Sequence, residues 1–345
     1  MCPTARRSRA IVAVLAVLAL LAACGSDGDA VADDATADEP AAGITSVDDA
    51  FPVTIEHALG TAEIPERPER VVTWGWGSTD AAIALGVVPV AMPHQAYGGD
   101  GQGVLPWIRD RVEADGAELP EVLPQTDEAP IEAIAAARPD VIIAVYSGLT
   151  QEEHDLLSEI APVVAYPDQP WATPWRDTVE LVGEALGRPD EATALLEEID
   201  AEVAAQAEAH PELAGQTVAA VWDTGDAFYV YKPADARVGF LLELGLEGAP
   251  SVDELAAGGE SFYYTLSHER AAELTSDILV AYADTPDQMD AFLASPSARS
   301  MAQVRDGRVA PVVGTELIAA VSPPTALSLT WGLDEYVEIL AGAAR

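Results

Sequence analysis

Short apolar runs that alternate with helical patterns constrain the fold of this chain more than any other feature. Four such runs in the first half are predicted strands: residues 70–73, 87–91, 141–145 and 163–166. Helical patterns lie between them at residues 79–85, 131–137 and 151–160, with Ser78 expected as the cap of the first helix. The runs are apolar throughout, which is typical of strands that helices cover on both faces. The alternation therefore predicts an α/β fold with a mostly parallel sheet.

A long stretch without any strand signal interrupts this alternation. Between residues 174 and 210, leucine, isoleucine and valine recur at helical spacing, and Gly187-Arg188-Pro189 offers one point where a helix could break. Strand patterns then resume, at residues 218–222, 228–231, 278–282 and 309–313, before a last helix near 325–341. The prediction is two Rossmann-like lobes, residues 51–173 and 211–345, joined by a long interdomain helix at 174–210.

The two predicted lobes echo each other weakly. In residues 132–146 and again in residues 269–283, a glutamate opens a helix and an aspartate eight positions later precedes an apolar strand. Because β-α units resemble one another, chance could produce this match. It nevertheless suggests that the lobes are related.

The N-terminus has the layout of a bacterial export signal. Three arginines precede an uncharged apolar run at residues 11–21, and two alanines then lead to Cys24. The run is short of the about 20 residues that a membrane-spanning helix needs. Leu21-Ala22-Ala23-Cys24 resembles the lipobox of bacterial lipoproteins, which implies a signal peptide at 1–23 and a lipidated Cys24. An ordinary secretory signal is the alternative.

Composition limits the possible partners. The chain carries 58 acidic and 17 basic residues, for a formal charge of −41, and such a charge repels nucleic acid. Residues 24–50 are polar and acidic, so we expect a flexible tether there. Cys2 would leave with the signal, so Cys24 has no disulfide partner. These features favour an extracytoplasmic protein held at the cell membrane by a lipid.

The order of several segments is similar to a known family. The segments are "PERVVTWGWGSTDAAIALGVVPVAM" (68–92), "IEAIAAARPDVIIA" (131–144), "LSEIAPVVAY" (157–166) and "SPPTALSLTWGLDEYVEIL" (322–340). Together they resemble the class III substrate-binding proteins of ABC importers, and "GLTQEE" and "PWATPW" resemble the actinobacterial iron–siderophore group. The resemblance implies a binding protein, not an enzyme, that takes a ferric siderophore from a shallow cleft between two lobes to an ABC permease. It implies no cofactor, because the iron arrives chelated.

Residues that follow predicted strands are the candidates for this cleft, since ligands of open α/β sheets bind beyond the carboxyl ends of the strands. The candidate ligand-binding residues are Trp74, Trp76, Tyr97, Tyr146, Ser147, Trp171, Trp175, Arg176, Trp222 and Arg237. Aromatic rings give stiff contact area, and arginines bind oxygen-rich groups. Any one of the five tryptophans could belong to a core, but their clustering after strands favours an aromatic cleft.

Other chemistries have weaker support. A bare metal ion needs several His, Asp or Glu ligands, and only His94 and His268 of five histidines fall near the predicted cleft or a helix start; His57, His154 and His210 are expected on the surface or near the tether. No Gly-x-Ser-x-Gly elbow, His-Glu-x-x-His or phosphate loop is present, which disfavours an exported enzyme.

The class of chelate is less constrained. Few arginines in a strongly acidic protein favour near-neutral ferric hydroxamates over anionic catecholates. Haem and cobalamin remain alternatives.

Two glutamates are candidates for contact with a permease. Glu132 and Glu269 hold matching places in the two lobes, each at the start of a short helix, where a carboxylate also simply stabilises the helix. In the class III family one glutamate on each lobe docks into arginine pockets of the permease dimer. The resemblance therefore implies that Glu132 and Glu269 face the permease and do not hold the ligand.

Overall fold

A computed structural model describes residues 50–256 and 262–345. The predicted signal peptide, Cys24 and nearly all of the predicted tether lie outside these residues. The described chain begins with an antiparallel hairpin, β1 (Val53–His57) and β2 (Gly60–Ile64), which the sequence analysis did not predict. The hairpin lies against the edge of the first lobe, where the Ala58 N–H donates to the Tyr166 carbonyl at 3.0 Å.

The first lobe is built on a five-stranded parallel sheet. Its strands are β3 (Val71–Thr73), β4 (Ala91–Met92), β5 (Glu121–Val122), β6 (Val141–Ala144) and β7 (Val163–Ala165). They are arranged in the order β5-β4-β3-β6-β7. Every residue of β3, β6 and β7 is buried, as the uninterrupted apolar runs predicted. The strand predicted at 87–91 is observed only at Ala91–Met92, so the prediction began too early and was too long.

Four helices connect these strands: α1 (Ser78–Ala84), α2 (Pro106–Ala114), α3 (Ile131–Ala137) and α4 (Gln151–Ser158). Thr150 and Glu153 form a capping box that fixes the start of α4. Ser78 does not cap α1, contrary to the sequence prediction. Gly77 takes the cap position in the left-handed conformation, and Ser78 becomes a buried first residue whose Oγ has no hydrogen-bond partner among the described residues.

Two helices occupy the segment predicted as one long interdomain helix. They are α5 (Trp175–Ala185) and α6 (Pro189–Ala209), and the chain turns between them at Gly187. Gly187 has a φ of 66°, and Pro189 supplies the first residue of α6, a position that needs no N–H donor. The break foreseen at Gly187-Arg188-Pro189 is therefore present. The predicted lobe boundaries at 173 and 211 remain predictions.

The second lobe has a mixed sheet. Its strands are β8 (Thr217–Asp223), β9 (Phe228–Tyr231), β10 (Glu247–Gly248), β11 (Tyr263–Leu266), β12 (Ile278–Ala283) and β13 (Val309–Val313). The main order is β11-β9-β8-β12-β13, and β10 pairs with the start of β8. Strands β8, β12 and β13 are parallel, whereas β9 and β11 are antiparallel to their neighbours.

Helices cover both faces of this second sheet. They are α7 (Ala236–Glu243), α8 (Pro250–Leu255), a 3-10 helix (His268–Glu273), α9 (Pro286–Ala294), α10 (Pro296–Ser300), α11 (Ala302–Arg305), α12 (Thr315–Val321) and α13 (Ser328–Ala344). Helix α13 is near the predicted final helix, starting and ending three residues later.

One apolar core extends through both sheets. It contains Val71 and Ile143 of the first sheet, Val218 and Val280 of the second, and Tyr336 of α13. Two smaller cores fill the opposite faces of the two sheets. The chain therefore forms an α/β fold of two sheets on a shared core, which confirms the predicted fold class.

Candidate functional site

The carboxyl ends of strands from both sheets meet at one place. Tyr97 follows β4 in the first sheet, and Asp284 follows β12 in the second. The Tyr97 hydroxyl donates to Asp284 Oδ1 at 2.8 Å. Burial and this carboxylate both raise the pKa of Tyr97, so the phenol stays protonated at neutral pH. The contact joins the carboxyl ends of the two sheets, where ligands of α/β proteins commonly bind, and we call the region around it the cleft.

Arg237 supplies the cationic group of this cleft. It lies in the first turn of α7, and its guanidinium stacks on the Tyr231 ring at 3.8 Å from the centroid. Its Nε lies 2.7 Å from Asp235 Oδ1, an ion pair whose N–H does not point along the hydrogen-bond direction. Nη1 is buried and has no hydrogen-bond partner within the described chain. A buried donor without a partner is costly, so a ligand oxygen that reached this nitrogen would satisfy it.

The charge on Arg237 is stable. Burial works against it, but Asp235 together with the rings of Tyr231 and Tyr282 outweighs burial and raises the pKa of the guanidinium. Burial in turn raises the pKa of Tyr282 to about 12. The tyrosines beside Arg237 are therefore neutral hydrogen-bonding groups at physiological pH.

The first sheet contributes two aromatic side chains that meet edge to face. The rings of Tyr146 and Trp171 are 5.8 Å apart at an angle of 71°. Trp171 is 55% exposed, and its φ of 58° is rare for a bulky residue. Its indole lies against Gly148, where an added Cβ would approach Nε1 to 2.3 Å. Strained backbone and a glycine platform therefore hold an exposed tryptophan in place, as is common at binding sites.

The second sheet contributes Trp222 and an open groove. Trp222 lies near the end of β8, 6.2 Å from the Tyr282 ring. It borders a groove of about 830 Å³ that is also lined by His268, Glu269, Asp284, Gln288 and Ser297. His268 Nε2 is 3.0 Å from Asp223 Oδ1. This volume is in the range of small-molecule sites.

Three predicted tryptophans lie deeper than the cleft surface. Trp74 packs against the outer core of the first lobe. Trp76 donates from Nε1 to the Pro323 carbonyl at 3.1 Å, and with Tyr146 and Trp175 it borders a small cavity beside α5. All three are half-buried. These three tryptophans therefore pack beneath the residues at the cleft surface and support them.

Two predicted ligand-binding residues are placed elsewhere by the structure. Ser147 is fully buried, and its hydroxyl donates to the Ala144 carbonyl at 2.8 Å, so it is part of the lobe interior. Arg176 forms a two-bond ion pair with Glu243 at 3.0 Å and a further contact with Asp200 at 2.5 Å. Its guanidinium ties α5 to α6 and α7 and is not free for a ligand. Neither residue therefore lies at the surface of the cleft.

The residues that sequence reasoning missed are Tyr231, Asp235, Tyr282 and Asp284. Tyr282 and Asp284 lie at or just beyond the end of β12, so the same strand-end rule would have found them. Tyr231 ends an antiparallel strand, and the rule for parallel sheets gives no signal there. Asp235 is the N-cap of α7 and accepts from the Arg237 N–H at 3.0 Å, a role that its sequence position suggests.

The histidines do not assemble a metal site. No group of three or more His, Cys, Asp or Glu side chains in the described chain could hold a metal ion. The expectation of a position on the surface or near the tether was wrong for His154, whereas His57 does follow the predicted tether closely in sequence. Both are buried with ring centroids 5.0 Å apart, and burial, reinforced by His154, lowers the pKa of His57 to about 4.

The two glutamates predicted to face a permease are both exposed. Glu132 lies in the first turn of α3, and Glu269 lies in the first turn of the 3-10 helix. Glu269 also lines the groove beside Trp222. No helix among the described residues is long and apolar enough to cross a bilayer.

The sequence matches one protein-family model and several characterised or named binding proteins. Residues 71–312 match the family model described as periplasmic binding protein. The probable siderophore-binding lipoprotein YfiY of Bacillus subtilis is 33% identical over 152 residues, which cover 44% of this chain and 43% of that protein. The alignment thus spans less than half of the length of that relative.

Two solved structures match over most of the chain. Streptococcus pneumoniae PiaA in complex with ferrichrome has a TM-score of 0.75 and 33% identity, covering 85% of this chain and 98% of PiaA. A periplasmic solute binding protein from Mycobacterium smegmatis has a TM-score of 0.73 and 29% identity, covering 85% and 99%. With a family model that spans most of the described residues, the chain belongs to the periplasmic binding protein family, a family of binding proteins.

Proposed function

We propose that this protein binds a ferric siderophore in the cleft between its two sheets and delivers it to an ABC permease. The observation that carries the proposal is Arg237, whose guanidinium acts on tyrosines of both lobes and whose buried Nη1 has no hydrogen-bond partner among the residues that the structure describes. A ferric chelate presents carbonyl and iron-bound oxygens to such a donor and apolar edges to the aromatic rings. The names of YfiY and of the PiaA–ferrichrome complex support the same class of ligand.

The ligand-binding set that we propose combines predicted and newly found residues. It consists of Tyr97, Tyr146, Trp171, Trp222, Tyr231, Arg237 and Asp284, with Trp74, Trp76 and Trp175 as supports beneath them. The protein needs no cofactor of its own, because a siderophore satisfies the coordination of its iron. Its role is capture and transfer, not catalysis.

The proposal is tested by titration of the intrinsic tryptophan fluorescence with ferrichrome, a ferric tris-catecholate, haem and cobalamin. A ferric siderophore should quench the fluorescence saturably. Trp171→Ala and Trp222→Ala should each weaken binding by roughly 1–3 kcal/mol, the cost of a lost stacking contact. The matched variant Trp107→Ala removes a fully buried ring and should cost stability instead. Saturable binding of haem or cobalamin alone would contradict the siderophore assignment.

We further propose that the protein is attached to the outer face of the cell membrane through a lipid on Cys24. The sequence Leu21-Ala22-Ala23-Cys24 and the name of YfiY as a lipoprotein support this. Cys24→Ala should move the protein from the membrane fraction to the soluble fraction of the cell envelope. A variant that still sediments with membranes would contradict the lipid anchor.

A further inference from the structure

We propose that the cleft selects its ligand by charge, taking ferric chelates that are neutral or positively charged and rejecting those with several negative charges. This inference rests on the proposed function and names the class of siderophore. It depends on the charged groups around the cleft and not on any single contact.

The charged groups nearest the cleft tyrosines are two carboxylates and one guanidinium. Asp284 and Arg237 act on Tyr97, whereas Asp235 and Arg237 act on both Tyr146 and Tyr231. Burial, with help from these carboxylates, raises the pKa of each tyrosine, so the phenols add no charge of their own. Asp235, Arg237 and Asp284 together leave an excess of one negative charge.

The positive charge of Arg237 is largely neutralised by a neighbouring carboxylate, so it attracts an anionic ligand only weakly. Asp235 lies 2.7 Å from its Nε and balances it locally. The other arginine predicted for the cleft, Arg176, is committed to Asp200 and Glu243. The N–H donors of Arg237 Nη1 can form a hydrogen bond with one neutral or weakly charged ligand oxygen.

The approach to the cleft is also acidic. The groove next to Trp222 is lined by Asp223, Glu269 and Asp284, and His268 is the titratable base on that wall. The whole chain carries a formal charge of −41. An approaching anion is therefore repelled at long range as well as in the cleft, and a cation is attracted.

The charge of a ferric siderophore follows from its chelating groups. Three singly charged hydroxamates balance Fe³⁺, and a free ammonium on the backbone makes such a complex cationic. Three doubly charged catecholates leave three negative charges on the complex. At roughly tenfold in affinity for each of its three charges beside an uncompensated carboxylate, a tris-catecholate should bind about 1,000-fold more weakly than a trihydroxamate.

The test compares ferrichrome, ferrioxamine B and a ferric tris-catecholate as neutral, cationic and anionic probes of the purified full-length protein. Stopped-flow tryptophan quenching gives the association rates at low and high salt. Salt should slow the cationic probe, speed the anionic probe and leave the neutral probe nearly unchanged, because it screens attraction and repulsion alike. Tighter binding of the tris-catecholate than of both hydroxamates would overturn charge selection and leave the proposed function standing.

A variant separates the cleft from the general charge of the chain. Asp284→Asn keeps an oxygen that can accept from Tyr97 but removes one negative charge, so it should raise the ratio of tris-catecholate affinity to ferrichrome affinity by roughly 100- to 1,000-fold. The control Asp190→Asn removes the same charge from an exposed position at the start of α6. Equal effects of both variants would overturn selection within the cleft. Failure of all three probes to bind would overturn the proposed function itself.

Discussion

At the scale of single residues, the two arginines that sequence reasoning treated alike have different roles. Arg176 is held by carboxylates from two other helices, whereas Arg237 keeps a buried nitrogen that has no hydrogen-bond partner in the described part of the chain. The difference lies in Asp200 and Glu243, which are distant in sequence, so no local pattern could reveal it. Ser147 was misassigned for a related reason: its direction depends on the turn after β6 and not on its position after a strand.

Lysine substitutions should separate the two arginines. Arg237→Lys loses the planar fork that can stack on Tyr231 and still donate to a ligand, so ferric siderophore affinity should fall by about 10- to 100-fold. Arg176→Lys should lower the free energy of unfolding by about 1 kcal/mol or less, because its ion pairs are partly exposed, and leave affinity within about twofold. Fluorescence titration measures the affinity of both variants, and urea unfolding measures their stability. An equal loss of affinity in both would contradict the assignment of Arg237 to ligand binding and of Arg176 to helix packing.

A buried carboxylate joins the two halves of the molecule. Asp80 of α1 accepts hydrogen bonds from Trp107 Nε1 and from Thr325 Oγ1, each at 2.5 Å, and Thr325 precedes α13. Burial raises the pKa of Asp80 to about 6, although these two bonds act in the opposite direction. The folded chain therefore takes up a proton that the unfolded chain has already lost at the same pH.

This carboxylate should make stability depend on pH. The folded pKa lies above the unfolded value near 3.9, so the free energy of unfolding should fall as pH rises from about 4 to about 6, by roughly 3 kcal/mol in total. Asp80→Asn keeps an acceptor and removes the ionisation. Urea unfolding between pH 4 and pH 7 should show that the free energy of unfolding of Asp80→Asn rises relative to that of the wild type as the pH rises. The control is Asp190→Asn, which removes an exposed carboxylate. A difference that does not change with pH would contradict this account.

At the scale of elements, the weak sequence echo corresponds to a repeated structural device. Asp140 accepts from the Arg70 N–H at 2.9 Å, and the Asp140 N–H donates to the Arg70 carbonyl at 3.0 Å. Asp277 and Thr217 form the same reciprocal pair, at 2.8 and 3.0 Å. In each lobe an aspartate thus ties together the starts of two neighbouring parallel strands. These are β3 and β6 in the first lobe, and β8 and β12 in the second. Sequence spacing alone could suggest the repeat but not these bonds.

The elements that the sequence revealed are the buried parallel strands, whose apolar runs are uninterrupted, and helices such as α5 and α6, whose apolar residues recur at helical spacing. The β1–β2 hairpin and β11 were missed because one side of each strand is exposed, so the apolar signal is diluted by polar residues. From the sequence, the division of residues 174–210 into α5 and α6 could be predicted only as a possible helix break at Gly187-Arg188-Pro189.

The turn between α5 and α6 should be sensitive to substitution. Gly187 has a φ of 66°, and an added Cβ would lie 2.5 Å from the Phe51 ring. Gly116 has nearly the same φ, 67°, and open space around it. Gly116→Ala should therefore cost about 1–2 kcal/mol of stability through backbone strain alone, and Gly187→Ala about 1–3 kcal/mol more through crowding. Urea unfolding measures both, and equal costs would show that Phe51 moves aside freely.

At the scale of the whole molecule, contacts between the lobes extend well beyond the cleft. Trp107 of α2 packs on Trp331 of α13 at 5.5 Å, and Trp76 bonds to the Pro323 carbonyl. Together with the shared core and Asp80, these contacts argue for lobes that move little relative to each other. Such a protein would present the two exposed glutamates at a nearly fixed separation, which suits a two-subunit permease.

Charge reversal at these glutamates should uncouple binding from transport. Glu132→Arg with Glu269→Arg should abolish uptake of radiolabelled ferrichrome by cells, while the affinity for this neutral chelate and the free energy of unfolding change little. The control double variant, Glu191→Arg with Glu208→Arg, makes the same charge change on exposed positions of α6 and should transport normally. Normal uptake by the first variant would reduce Glu132 and Glu269 to residues that stabilise helix starts.

The central claim is that the cleft between the two sheets holds the iron chelate. The most direct measurement is anomalous diffraction at the iron absorption edge from crystals of the protein grown with ferrichrome. The account predicts a single iron peak between the Trp171 ring and the Arg237 guanidinium, with Trp222 and Tyr97 beside the chelate. An iron peak on the outer surface of either lobe, away from these four residues, would contradict it.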